Sequence, residues 1–173
     1  DADLDRLANV GTEFHRIMHE YLDSLIAEGS WGDPERLIDM VRDGDPALQP
    51  DLNFCAKLTA PRIRIYPTSH LGHERQAAYR LEHFGPRGED VLLTCRADLL
   101  SWGDEEGELR ITDWKTGWKK SGHEFQAAFY AVVHWRAIEG VTSVKWCPFY
   151  CRFGSWGRPY EFQESDLEEA EAT

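Results

Sequence analysis

The 173 residues carry 31 acidic against 19 basic side chains, a formal net charge of −12, with 42% hydrophobic and 12% aromatic content. That length and apolar content suit one folding unit with a real core, spanning 1–173, and no apolar run approaches the roughly 20 residues of a membrane span. The acidity weighs against a protein that grips polyphosphate by bulk electrostatics, and the charged start is unlike a signal sequence, so a soluble cytoplasmic protein without a membrane partner is expected.

Charge is unevenly spread along the chain. Residues 104–108 and 161–171 are acid-rich, whereas 52–73 and 140–160 hold Lys57, Arg62, Arg64, Lys145, Arg152 and Arg158 and no Asp or Glu, a pattern that allows a charge-separated surface. Cys55, Cys95, Cys147 and Cys151 are scattered through predicted helix and strand, and reduced, mostly buried thiols are expected.

In chain order, Phe14, Ile17, Met18, Tyr21, Leu22 and Leu25 recur at helical spacing, predicting an amphipathic helix over Thr12 to Glu28 with Gly29 as its stop. Asp33 and Pro34 form an N-cap and first-turn pair that opens a helix to Arg42, and a third helix is predicted over Pro46 to Leu58. These elements make 1–70 an N-terminal helical part. The texture then turns to strand, over Arg75 to His83, Asp90 to Trp102 and Glu108 to Lys115, separated by turn residues as in an antiparallel meander. Gly122 to Glu139 returns to helix, with Phe125, Phe129, Val132 and Val133 on one side. Strands are predicted over Thr142 to Phe153 and Pro159 to Phe162, completing a sheet core over 71–163. Ser165 is read as the cap of a segment, within 164–173, that looks like the start of a truncated C-terminal helix.

In the third strand a period of two puts Asp113 and Lys115 on one face. Asp98 lies near the end of the preceding strand, and a turn from Trp102 to Gly107 would fold the two strands into a hairpin that brings Asp98 and Asp113 close. Two carboxylates there make a hard oxygen site suited to one or two Mg²⁺ or Mn²⁺ ions, and the Trp114 carbonyl can complete the metal shell. Phosphodiester hydrolysis needs such a metal to polarise the phosphoryl oxygen and acidify a water, and an adjacent lysine to orient that water and offset charge on the phosphate.

Taken together, Arg96-Ala97-Asp98-Leu99-Leu100, an acidic turn and Ile111-Thr112-Asp113-Trp114-Lys115-Thr116-Gly117 resemble the catalytic hairpin of PD-(D/E)XK nucleases. Gln126-Ala127-Ala128-Phe129-Tyr130 on the next helix looks like the Gln-x-x-x-Tyr signature of the RecB-like branch, and Gly11-Thr12-x-x-His15 opens the early helix as that branch does. The resemblance covers roughly Val10 to Tyr150. It implies an α/β fold with a mixed central sheet flanked by helices, a restriction-endonuclease-like core. It further implies His15 as a metal ligand beside Asp98 and Asp113, Lys115 as the catalytic lysine, Gln126 and Tyr130 bracing the site or touching DNA, and Glu74 as an added acidic site residue, with Glu82 on the same strand. Some relatives hold an iron-sulfur cluster with one cysteine before the early histidine and three near the C-terminus. No cysteine precedes His15 here, and Cys147 and Cys151 would stand about 13 Å apart on an extended strand, so no cluster is expected.

Blander readings compete with each feature. An isolated Asp-x-Lys on a strand is more often an ion pair than a catalytic pair, and Gln126 with Tyr130 serves equally well as a helix-to-sheet hydrogen bond. His15 and His19 share a helix face, but Arg16 stands where a zinc protease needs Glu, and His19 is expected beside the core or in solvent. Trp102, Trp114, Trp118, Trp135, Trp146 and Trp156 could stack on unpaired bases, although large aromatics mostly fill cores; Trp118 with Lys119 and Lys120 is the best exposed candidate for a DNA contact. The leading expectation is a DNA nuclease acting on ends or single strands, of a repair, recombination, phage or defence type, with a helicase or recombination protein as partner. The alternative is a nuclease-fold module that binds DNA or a helicase without cutting.

Overall fold

The computed structural model describes residues 2–65, 68–83, 85–118 and 122–172, with side chains from Leu4 onward. Helix α1 spans Ala2–Glu28, beginning well before the expected Thr12. Leu7 and Val10 carry the apolar period of Phe14 and Ile17 back toward the N-terminus, and Gly11 sits inside the helix rather than at its edge. In α2 (Pro34–Arg42) the Asp33 carboxylate accepts from the Arg36 backbone N–H at 3.1 Å, the expected cap. Helix α3 (Gln49–Thr59) starts later than Pro46, because the Gln49 amide turns back to donate to the Val41 carbonyl at 2.6 Å and closes the preceding turn.

Packing divides the chain into two compact units that interleave in sequence. The first takes 1–70, 113–120 and 148–158, and the second takes 71–112, 121–147 and 159–173. In the first unit α1 packs on α2 and α3, with Phe14, Ile17, Met18, Tyr21 and Leu22 fully buried beside Leu37 and Leu52. The Tyr21 hydroxyl accepts from the Asp33 backbone N–H at 2.9 Å, so even this core tyrosine has its polar tip satisfied.

Strands β1 (His70–Leu81), β2 (Val91–Trp102), β3 (Glu108–Lys115), β4 (Ser143–Tyr150), β5 (Ser155–Trp156) and β6 (Tyr160–Gln163) make a six-stranded sheet of order β1-β2-β3-β4-β5, with β6 beside β4. The fold is α/β with a mixed sheet, as expected. In the second unit α4 (Glu124–Ala137) and α5 (Glu164–Glu171) contribute Ala127, Ala131 and Leu167 to a core shared with Ala97, Leu100, Ile111 and Trp146.

Three local readings are corrected. Strand β4 ends at Tyr150 instead of Phe153 because the chain turns: the Phe153 N–H donates to the Tyr150 carbonyl at 2.9 Å, and β5 returns with Tyr150 opposite Ser155. Gly154 makes this possible, since its φ of +55° is left-handed and a Cβ there would stand 2.6 Å from the Leu58 carbonyl oxygen. Helix α5 is capped by Gln163 rather than Ser165, in a capping box whose Asp166 carboxylate accepts from the Gln163 N–H at 2.8 Å. Phe125 does not join the buried side of α4; it is 84% exposed. All four cysteines are free thiols, three of them buried, and burial pushes the Cys95 thiol up to about 12.

His134 is fully buried in α4, where its Nδ1 donates to the Tyr130 carbonyl at 2.8 Å. Among the described residues no acceptor faces its Nε2, and burial holds its pKa below the ordinary 6.5. The unfolded chain therefore binds a proton at this site that the folded chain refuses. Stability from this residue is complete above pH 6.5 and falls as pH drops below it. In urea denaturation at stepped pH, His134→Leu should flatten the loss of stability between about pH 7 and 5 relative to the parent.

Candidate active site

The β2–β3 hairpin is antiparallel, with Leu99 opposite Thr112, Leu100 opposite Ile111 and Trp102 opposite Leu109. Its turn is closed by the Gly103 N–H donating to the Glu108 carbonyl at 2.8 Å, and Gly107 adopts a left-handed φ of 74°. This ladder belongs to the second unit and carries Asp98, half-buried, one residue before Leu99.

Beyond Thr112, β3 continues into the first unit with Asp113, Trp114 and Lys115. The period of two holds: Lys115 Nζ lies 2.7 Å from Asp113 Oδ2, and Asp113 is only 7% exposed. Trp114 points oppositely into the core against Phe149, in an edge-to-face contact at 6.0 Å. The backbone of the strand is pinned by the Cys151 N–H, which donates to the Lys115 carbonyl at 2.9 Å.

On α1, His15 Nε2 lies 2.8 Å from the Trp114 carbonyl oxygen, to which it donates when protonated there. The Gly-Thr-x-x-His spacing acquires a physical reason from this contact. Gly11 is one turn before His15 on the same face, and a Cβ on it would stand 3.1 Å from Thr116 Oγ1. A side chain at position 11 would press on Thr116 just after β3, and the threonine would have to shift by a few tenths of an ångström to admit it.

These donors fit a hard divalent cation. His15 Nε2, the Trp114 carbonyl oxygen and the Asp113 carboxylate are nitrogen and oxygen donors of the kind that could hold it. A carboxylate beside a lysine and an imidazole beside a carbonyl can bind metal, orient a water and neutralise a phosphate.

In the second unit, Glu74 lies on β1 with a left-handed φ of 47°, a costly conformation for a residue with a side chain, and its carboxylate pairs with Arg96 at 2.9 Å. Glu82 lies beyond the end of β1 and is exposed. Gln126 and Tyr130 are half-buried one turn apart on α4, with Tyr130 packed against the core and its ring beside His134.

Trp118, in the first unit, is 64% exposed, as anticipated, while Trp114 and Trp146 are core residues. Lys119 and Lys120 lie outside the described residues. No spacing along the chain signals what supports Trp118: its ring leans on Phe153 at 5.8 Å, and the Arg152 guanidinium lies 5.9 Å from its centroid. Arg152 is fixed in turn by the Thr116 carbonyl at 3.2 Å and by Asp51 at 3.0 Å.

The model of the PD-(D/E)XK nuclease superfamily matches residues 1–172, across both units, and the chain belongs to that superfamily. Comparison with individual curated proteins gives no match. Membership implies DNA binding and phosphodiester hydrolysis, which nucleases of this superfamily generally carry out with divalent metals. Among the described residues no helix is long and apolar enough to cross a membrane.

The close approach at Gly11 is testable. Gly11→Val should cost about 1–3 kcal/mol in urea denaturation by crowding Thr116, and adding Thr116→Ala should recover part of that loss.

Proposed function

We propose that the protein is a cytoplasmic Mg²⁺- or Mn²⁺-dependent deoxyribonuclease of the RecB-like branch. It would hydrolyse phosphodiester bonds at DNA ends or in single strands during repair, recombination or defence, with a helicase or recombination protein exposing the strand. The observation that carries this reading is the buried Asp113 carboxylate held against Lys115, followed on the same backbone by a carbonyl that His15 meets. Asp98 precedes Leu99 on β2 and Asp113 follows Thr112 on β3, and the resemblance to the catalytic hairpin implies that the two carboxylates serve one centre. His15 and Glu74 enter through the family resemblance, as further ligands.

One or two divalent ions bound by His15, Asp98, Asp113 and the Trp114 carbonyl would polarise the scissile phosphate and acidify the attacking water. Lys115 would hold that water by hydrogen bonding and offset negative charge on the phosphate, with Asp113 keeping the ammonium aimed. Gln126 and Tyr130 would brace the site or meet the substrate backbone.

Support for unpaired strands comes from Trp118, whose exposed face suits base stacking and which Phe153 and Arg152 hold in place. Lys119 and Lys120, next in sequence, would supply charge for the backbone.

The test is cleavage of end-labelled single- and double-stranded DNA in Mg²⁺, Mn²⁺ or EDTA. Asp113→Ala should lower cleavage at least about 10²- to 10³-fold with unchanged circular dichroism. Full activity in that variant would remove Asp113 from the mechanism, and DNA retained without any cutting by the parent would indicate a binding module. Lys115→Ala should still bind Mn²⁺ in calorimetry while turning over little, and loss of metal binding would make Lys115 structural. Trp118→Ala should weaken single-strand binding about 5- to 100-fold, the equivalent of about 1–3 kcal/mol of stacking, and leave duplex binding nearly unchanged.

A further inference from the structure

The second unit carries an apolar groove of about 730 Å³, away from every residue invoked for hydrolysis except by its position on α4. Its floor is built by Leu81 and Leu93 from the sheet, Phe125, Phe129 and Val132 from α4, and Phe162 from β6. Phe125 is the feature hardest to explain by stability. It is 84% exposed and stacks on Phe129, with centroids 6.3 Å apart and planes 16° from parallel, so a flat aromatic surface faces solvent.

Four lining residues are acidic, Glu124, Asp166, Glu169 and Glu171, and none is Lys or Arg. Arg136 offsets Glu171 through an ion pair, while the exposed carboxylates of Glu124 and Asp166 keep the rim negative. That charge decides among occupants. Phosphate backbones and anionic lipid surfaces are repelled by it. A second copy docking about a two-fold axis would set one acidic rim against another, on chains that each carry −12.

We propose that the groove is a docking surface for a basic amphipathic helix of a partner protein. The helix lays its apolar face on Phe125, Phe129 and Phe162 and sets lysines or arginines against Glu124 and Asp166. Apolar anchors supply the affinity, and the carboxylates select the charge of the partner and speed its encounter. This inference stands apart from the hydrolytic reading, since none of its residues is asked to touch metal or phosphate.

The probe is a fluorescent 18-residue peptide with Leu and Lys at amphipathic helical spacing, beside a twin in which every Lys is Glu, titrated into the full chain. The expected result is saturable one-to-one binding of the Lys peptide only, with hydrogen-exchange protection confined to α4 and α5. Phe125→Ser, at an exposed position where folding is spared, and Glu124→Lys should each weaken binding at least tenfold. Glu105→Lys with Glu106→Lys, reversing charge in the β2–β3 turn, should leave it unchanged.

Equal loss in that control would reduce the effect to net charge and overturn the proposal. So would undiminished binding by Phe125→Ser, or equal binding of the Glu twin. Self-association in sedimentation that Phe125→Ser abolishes would assign the groove to a second copy instead.

Discussion

Antiparallel pairing of β2 with β3 in one register, Leu99 against Thr112 and Trp102 against Leu109, is the constraint on which the candidate chemistry rests. Side chains alternate across a strand, so a slip by one residue would carry Leu109, Ile111, Asp113 and Lys115 together to the face that Thr112 and Trp114 occupy. Leu100, Leu109 and Ile111 oppose that slip, since they are buried in the core with Ala127 and Ala131 of α4 and would lose that packing. The core thus fixes which residues can do chemistry, and the tight turn closed by Gly103 and Glu108 fixes the count of residues between them.

The acidity that seemed to oppose a nuclease has a structural distribution. Much of it is in exposed helix-surface pairs such as Arg16 with Glu13 and Glu20, in the β2–β3 turn, and on α5. The buried carboxylate of Glu108 is matched by Lys145 at 2.6 Å. Beside Trp118 the Arg152 guanidinium is paired with Asp51, so charge there is matched rather than uniformly acidic. Net charge bounds solubility and encounter rates, and it does not decide what one face can hold.

Much of this was legible in the sequence because it is local. The hairpin follows from alternation and turn residues, and the α1 core stripe from helical spacing, so the placement of Asp98, Asp113 and Lys115 on adjoining strands could be read directly. Long-range facts were not legible. The closeness of Gly11 to Thr116, the fixing of Arg152 by Asp51 and the left-handed backbone of Glu74 depend on segments that no spacing rule connects. Phe125 shows the converse error. Its position fits the helical stripe, but the groove beneath is left open, so periodicity named a core residue where the fold leaves an aromatic surface.

The hydrogen bond between His15 and the Trp114 carbonyl joins residues 99 apart in sequence. Closing a chain segment of that length costs about 4 kcal/mol in entropy, so the contact cannot form early and alone; it must wait for the packing around it. During synthesis, a ribosome that has finished α1 has made the imidazole but not the strand that receives it. A half-made chain therefore carries no assembled centre. The contact is available only once synthesis has passed β3 and that strand has packed beside α1.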